Sequence, residues 1–521
     1  MKKRLLGQLF LLSTVLLVIS ACSSDSTSGT DGAAKSNNKE ITIAIDQNFV
    51  TLDPHNAGDT VSIFGTRAMY EGLVGFDKNM NVVPVLAEDY SVSEDALTYT
   101  FKLREGVTFH DGEPFNAAAV KANFDRIMDD NDDLRAKRNF QYVDRLEITN
   151  DYEVKFVLNQ PFSAMLNKFA MVPMISPKAI DDNSKDIRLN PVGTGPFKFK
   201  EWNQGDSLVV ESFNEYWNPE STNVEKVTFK PVPENGARAA MLKTGEADFV
   251  YPIPQQDVKE LENVDGVVIE QTPSTIARYV SINTFKEPFT NEKVRKAMNY
   301  AVNKEAYIKV VKNGYGKILG STMSSETQYY SNQEPYTFNL EKAKELMNEA
   351  GYEDGFEAEI WGNTSSETLK GMELIKQQLA QIGIDVTIKS MEEGTLSDEI
   401  YTPKTPEEAK VQMWYVSWSP SSGDADGATR SLFSSEYFPP NGANTAYYNN
   451  SQVDVWIDAA NETSDTKAQE DIYAKIQSEV YDDAPWIFLA SDTILSGYHD
   501  HLEGVYVLPD GSVSIKEAQL K

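Results

Sequence analysis

Four histidines, His55, His110, His499 and His501, are the only imidazoles in the chain. Only the last two are close together, and a His-x-His pair supplies two ligands where a hydrolytic zinc site gathers three; no metal is expected. Asp424-Ala425-Asp426-Gly427 resembles part of a calcium loop. Setting Gly427 at the sixth loop position, however, puts Phe433 where a bidentate Glu must stand. Gly193-Thr194-Gly195-Pro196 is glycine-rich, but Pro196 removes an N–H where a phosphate cradle needs one, so the stretch reads as a tight turn. There is no G-x-x-x-x-G-K-[ST], no H-E-x-x-H and no G-x-S-x-G. With 79 Asp and Glu residues, paired carboxylates arise by chance and do not argue for glycoside hydrolysis. Neither an enzyme nor a cofactor is expected.

Cys22 is the single cysteine in 521 residues. Before it come Lys2, Lys3 and Arg4, a mostly apolar stretch over 5–19, and then Ser20-Ala21. A basic head, a short apolar core and small residues form an export signal. The apolar stretch is shorter than the roughly 20 residues a membrane span needs. It resembles a bacterial lipoprotein signal, in which the cysteine is acylated and becomes the first mature residue. The expected location is the extracytoplasmic face of a cell membrane, held by lipid (palmitate chemistry), with a Gram-positive surface favoured. Residues 1–21 are read as the signal and 22–39 as a flexible tether of small and polar residues, with a reach of about 20–25 Å.

The formal charge is −31, and removing Lys2, Lys3 and Arg4 makes it more negative still. Such acidity argues against nucleic acid and against an anionic bilayer as binding surfaces. Any anionic ligand then needs a local cluster of Arg or Lys. Hydrophobic residues at 40% and aromatics at 11% are enough for an ordinary globular interior, and the length calls for two or three domains. Without disulfides in its body, the chain must be stable through packing.

The elements follow from periodicity. Residues 41–45 and 98–103 alternate as strands. Residues 116–128 have helical spacing with Asn116 as N-cap. A single helix is predicted over 292–311, and another over 340–350 ended by Gly351. Thr364-Ser365-Ser366-Glu367 reads as a capping box opening a helix through Leu379. Gly383 and a strand over 384–388 follow, giving a βαβ unit and a parallel sheet. An exported α/β protein without catalytic machinery is most simply a binding protein.

Ala87-Glu88-Asp89-Tyr90 and the run from Leu97 through Thr108-Phe109-His110-Asp111-Gly112 resemble the peptide/nickel-type (family 5) solute-binding proteins of ABC importers. So do Pro191-Val192-Gly193-Thr194-Gly195-Pro196-Phe197, Pro288-Phe289 and Ala484-Pro485-Trp486-Ile487. Within that family, Asn48-Phe49-Val50-Thr51-Leu52-Asp53-Pro54, 115–123, 238–247 and Ser417-Trp418-Ser419 are most similar to glutathione-binding proteins. The resemblance implies an α/β fold: a two-lobed periplasmic-binding-protein-like clamp with an additional inserted domain, hinged on two crossing strands. It implies lobe I over 40–78, 190–286 and 490–521, an inserted domain over 79–189, and lobe II over 287–489. It also implies a monomer that captures glutathione or a related small peptide and delivers it to the membrane subunits of an ABC permease. The alternative in the same class is a general di/oligopeptide or metal-chelate (nickel-type) receptor.

Glutathione carries two carboxylates, an ammonium and a thiol, and buried charges need partners; arginine suits carboxylates. Arg138 stands where a nickel-binding relative contacts its ligand, and Arg278 lies near the expected hinge strand. Trp418 matches a position that packs on ligand in relatives. Three residues on, peptide-binding relatives grip the ligand ammonium with an aspartate, and this chain has Ser421. Asp424 or Asp426 is then the substitute acid, and Ser419, Ser421 and Ser422 are carboxylate donors. Asn444, Thr445 and Tyr447 are expected to line the pocket from the second lobe, and the N-terminus of the helix opened by 364–367 is an expected anion site.

Overall fold

The computed structural model describes residues 39–129, 134–182 and 184–521. The signal, Cys22 and the tether to residue 38 lie outside the described residues. Among the described residues, no helix is long and apolar enough to cross a membrane.

A mixed sheet of 11 strands forms the backbone of the molecule. Its order is Ile384–Met391, Phe356–Asn363, Met413–Trp418, Val267–Ile282, Trp486–His499, Phe249–Tyr251, Glu40–Ile45, Lys226–Pro231, Ser207–Ser212 and Phe197–Asn203, with Gly316–Ile318 paired on Trp486–His499. The long strands Val267–Ile282 and Trp486–His499 run through both halves of this sheet. They pair antiparallel from Val267↔His499 to Ser281↔Trp486, and the register breaks between Pro273 and Ala277. Pro273 has no N–H to donate to the ladder. Beside it, the Ser274 hydroxyl donates to the Asp492 carbonyl at 2.8 Å, and the Thr275 N–H donates to the Pro509 carbonyl at 2.9 Å. One half of the sheet packs in a core that includes Ile43, Phe64, Phe229 and Phe249. The other half packs in cores containing Val280, Met298, Ile360 and Met413, and Tyr279, Phe433 and Trp486. These are the two lobes.

A second, antiparallel sheet of four strands, Ala87–Val92, Thr98–Leu103, Glu153–Leu158 and Val143–Asn150, has its own core. Along Thr98–Leu103, Tyr99, Phe101 and Leu103 are buried, as period-two alternation requires. Phe101, Phe140, Phe156 and Phe169 pack ring against ring beneath it. The helix Ala117–Met128 covers the sheet, with Asn116 capping it by accepting from the Ala119 N–H at 3.1 Å.

The strand Phe356–Asn363, the helix Ser366–Leu379 and the strand Ile384–Met391 form the expected parallel βαβ unit. Two expectations need correction. The helix over 292–311 is two helices, Glu292–Ala301 and Lys304–Val311. The Asn303 N–H donates to the Gln378 side chain at 2.9 Å, while its own side chain caps the second helix through the Ala306 N–H at 2.7 Å. The capping box is not closed either. Ser365 is the N-cap, bonded to the Thr368 N–H at 3.2 Å, and Glu367 turns away to Lys312 and Arg278 at 3.0 and 3.3 Å.

Candidate functional site

The site is assembled outward from Asp53 and His55. Arg126, on the helix Ala117–Met128, grips Asp53 through both carboxylate oxygens at 3.2 and 2.7 Å and reaches His55 Nδ1 at 2.8 Å. A guanidinium only donates, so Nδ1 accepts and Nε2 carries the proton, which goes to the Pro173 carbonyl at 2.9 Å. Burial, reinforced by the charge of Arg126, pushes the His55 pKa down to about 4, so the ring is neutral. The His55 carbonyl in turn accepts from the Ala136 N–H at 2.9 Å, which fixes the 3-10 helix Arg135–Phe140. Ala136 and Phe140 are buried in the core of the four-stranded sheet, leaving Arg135 and Arg138 exposed on the outer side.

Both arginines line a cavity of about 780 Å³. Its walls come from residues 54–85, from 135–139 and 170–173, from 216–221 and 506–517, and, across from these, from Ser421. Five cationic side chains (Arg67, Lys78, Arg135, Arg138 and Lys516) and three carboxylates (Glu71, Asp77 and Glu517) line it, so the lining is positive in a chain of net charge −31. Half of these charges are already used. Glu71 accepts from Tyr216, Trp217 and Thr194 at 2.7, 3.0 and 3.1 Å, with Lys516 at 3.6 Å. Asp77 accepts from the N–H groups of Asn79 and Asn81 at 2.8 and 2.9 Å. Arg67 pairs with Asp510 at 3.3 Å and bonds Ser512. Among the described residues, Arg135 and Arg138 make no hydrogen bond or ion pair, and Glu517 makes none either. The buried hydroxyl of Ser221, also on the wall, has no partner among them. The arrangement can bind an anion bearing one ammonium; it contains no nucleophile–base pair.

Of the residues expected from the sequence, the cavity brings together Arg138 and Ser421, the latter exposed. Arg278 lies elsewhere and is paired with Asp492 at 2.7 Å and Glu367 at 3.3 Å. The Trp418 indole N–H donates to the Gly427 carbonyl at 3.1 Å. Ser419 shares a 2.7 Å hydrogen bond with Thr275. Asp424 is buried, caps the helix Ala425–Phe433 and pairs with Lys168 at 2.9 Å. Burial works against its charge, but Lys168, Ser422 and the Gly427 N–H outweigh it and hold the pKa below the usual carboxylate range. Asp426 is spent on Arg430 at 3.0 Å and Asn461 at 2.7 Å. Asn444 closes a loop through the carbonyls of Ser434 and Tyr448 at 3.0 and 2.8 Å. Thr445 bonds Ser281 at 3.0 Å. Tyr447 is buried, its hydroxyl has no partner among the described residues, and burial pushes its pKa up to about 12. The helix end at Ser366 carries the ion pairs of Glu367 and does not line the cavity. Sequence reasoning did not single out Arg135, Glu71 or Glu517, which also line the cavity. Only Arg135 left a signal, three residues before Arg138 in the same polar run.

His110 pins a neighbouring part of the scaffold. Its ring nitrogens accept from the Gly193 N–H at 3.3 Å and donate to the Gly195 carbonyl at 3.0 Å, while a Cβ on either glycine would overlap the end of the helix Thr60–Met69. The turn is therefore a close-packing device. Burial pushes the His110 pKa down to about 4 as well. An unfolded imidazole titrates near 6.5, so protons favour the unfolded chain. Stability should be full above about pH 6.5 and should fall as pH drops towards 4, by up to about 3 kcal/mol for each ring. Denaturant midpoints measured between pH 7 and 4.5 should show this slope, and His110→Gln should flatten it; an unchanged slope in that variant would remove His110 as a source.

The profile for bacterial extracellular solute-binding proteins, family 5 Middle, matches residues 81–439. The glutathione-binding protein GsiB of Pectobacterium atrosepticum is 41% identical over 485 residues, spanning 92% of this chain and 94% of that protein. HbpA2 from Haemophilus parasuis superposes with a TM-score of 0.84 at 25% identity, over 92% of this chain and all (100%) of that one. The ABC transporter-associated periplasmic binding protein DppA from Helicobacter pylori, in complex with the peptide STSA, gives 0.74 at 28% identity over 92% and 98%.

Proposed function

The chain belongs to the bacterial extracellular solute-binding proteins, family 5, and we propose that the solute it captures for its ABC importer is glutathione or a closely related small anionic peptide. One observation carries the reading: the cavity offers unspent guanidinium groups while two of its three carboxylates are already satisfied. Unpaired cations in a concave site favour a ligand with more carboxylates than ammonium groups, and glutathione has two against one. The likeness to GsiB points the same way. In this reading Arg138 holds a ligand carboxylate, Ser421 donates from the facing lobe, and Glu517 takes the ammonium in place of the absent aspartate. The protein works as a monomer and is held at the extracytoplasmic membrane face through Cys22.

Titration calorimetry with reduced glutathione, oxidised glutathione and an α-linked tripeptide tests the reading. A glutathione form should bind and the ordinary tripeptide should stay silent. Arg138→Ala should weaken binding roughly tenfold or more, the scale of a charge-assisted hydrogen bond. Tripeptide binding without glutathione binding would instead make this a general peptide receptor.

A further inference from the structure

We infer that Arg135 is a second specificity-determining residue of this site, forming with Arg138 a pair of guanidinium groups that reads two carboxylates on one ligand, and that Gly58 sets its position. The inference rests on the anionic-ligand reading above and deepens it. Arg135 and Arg138 stand three residues apart on the 3-10 helix Arg135–Phe140. A 3-10 helix has three residues per turn, so side chains at i and i+3 eclipse and project from the same face. Here that face is a cavity wall. The helix cannot easily turn away, because Ala136 and Phe140 are buried in the neighbouring core and the Ala136 N–H is bonded to the His55 carbonyl at 2.9 Å.

Neither guanidinium has a partner among the described residues, in a chain where acids outnumber bases 79 to 48. Both are exposed to water, but two eclipsed arginines on one cavity wall, each without an acidic partner in so acidic a protein, concentrate positive charge at the site. They are matched by a ligand whose two carboxylates are separated along its length. The seat of Arg135 is also specific: its guanidinium lies against Gly58, where any Cβ would overlap it. Gly58 has no positive φ, so the backbone there would accept alanine. What alanine would remove is the space that Arg135 occupies.

The test compares glutathione with its two monoamides, the glycinamide and the glutamyl α-carboxamide, on the wild-type protein and on the Arg135→Ala, Arg138→Ala and Gly58→Ala variants by calorimetry. The wild type should prefer glutathione over each amide by about tenfold or more. Arg135→Ala should abolish one of these preferences and Arg138→Ala the other. Gly58→Ala should lower the same preference as Arg135→Ala, with thermal stability near wild type. A purely structural role for Arg135 would weaken all three ligands equally, and retention of both preferences in Arg135→Ala overturns the inference while leaving the glutathione reading intact. If the wild type ignores glutathione, the reading fails on its own, and the same acid-against-amide comparison is made with α-linked Glu-Gly and Glu-Cys-Gly. Loss of an acid preference in Arg135→Ala there sustains the inference; no binding of any acidic peptide overturns it.

Discussion

Asp492→Ala should destabilise the protein by about 3–5 kcal/mol, the range for removing one member of a buried charge cluster. Asp492 accepts from Arg278 at 3.0 and 2.7 Å and from Lys312 at 3.1 and 3.2 Å. Glu367 meets the same two cations, at 3.3 Å from Arg278 and 3.0 Å from Lys312. The set is two cations and two carboxylates, with Lys312 and Asp492 both buried. Burial alone would disfavour charge on Arg278, but Asp492 and then Glu367 outweigh it and keep the guanidinium firmly protonated. Without Asp492, the buried Lys312 and the half-buried Arg278 would share one carboxylate, and Lys312 would have little water to replace the lost partner. Denaturant unfolding measures the loss. Arg278→Met combined with Asp492→Leu should recover part of it, since a cluster reduced by one cation and one anion is again neutral. Ligand affinity in the folded double variant should change far less than in Arg138→Ala. An affinity loss as large as that of Arg138→Ala would return Arg278 to the ligand.

The contrast between Arg278 and Arg138 shows what a sequence can and cannot disclose. Both are arginines in plausible places. What separates them is that one faces Asp492, 214 positions away, and the other faces a cavity. Features whose cause is local were readable: the Asn116 cap, the alternation of 98–103, and the βαβ unit whose helical segment ends at Gly383 with φ 84. The break at 302–303 was not read, because only half of its support, the Asn303 cap on Ala306, is local; the Asn303 N–H is taken up by Gln378, 75 positions on. The resemblance in Asn48 to Pro54 and in 109–112 marked stretches of which only Pro54 lines the cavity. Asp53 and His110 hold the walls in place through Arg126 and the glycine turn. Asp424 and Asp426 read as free acids because their partners, Lys168 and Arg430, can be assigned only once the chain is folded. The absence of aspartate at Ser421 was legible, but Glu517, the acid on the cavity wall without a partner among the described residues, became visible only with the cavity.

Lys168→Met should reduce ligand affinity roughly ten- to hundredfold, the equivalent of losing about 1.5–3 kcal/mol from the closed clamp. Lys168 lies on the short helix Met165–Ala170, whose Met165 and Phe169 are buried in the core of the four-stranded sheet. Its ammonium donates to the Ser422 hydroxyl at 2.8 Å and to Asp424 at 2.9 Å, and Asn167 donates to the Ser422 carbonyl at 2.9 Å. Nearby, Ser163 reaches the Ala460 carbonyl at 3.1 Å and Asn461 at 3.2 Å. Of these acceptors Ala460 belongs to a different core, and Asp424 and Asn461 adjoin its members Ala425 and Ala460 in the chain. The contact therefore ties together two bodies with separate cores, next to the cavity wall formed by Ser421, and the Ser464 hydroxyl adds a second tie to the Glu94 carbonyl at 3.4 Å. In an open clamp both charges would return to water, so the pair stabilises the closed state selectively. Affinity falls in proportion to the closed fraction lost. Asp424 would also keep a buried carboxylate with only Ser422 and the Gly427 N–H to satisfy it, adding to the cost of closing. Calorimetry and solution X-ray scattering together check this: weaker binding should come with a larger radius of gyration at equal ligand concentration. Unchanged affinity and unchanged dimensions would mean that the two bodies stay in contact without Lys168, and that closure is set at the strands Val267–Ile282 and Trp486–His499 alone.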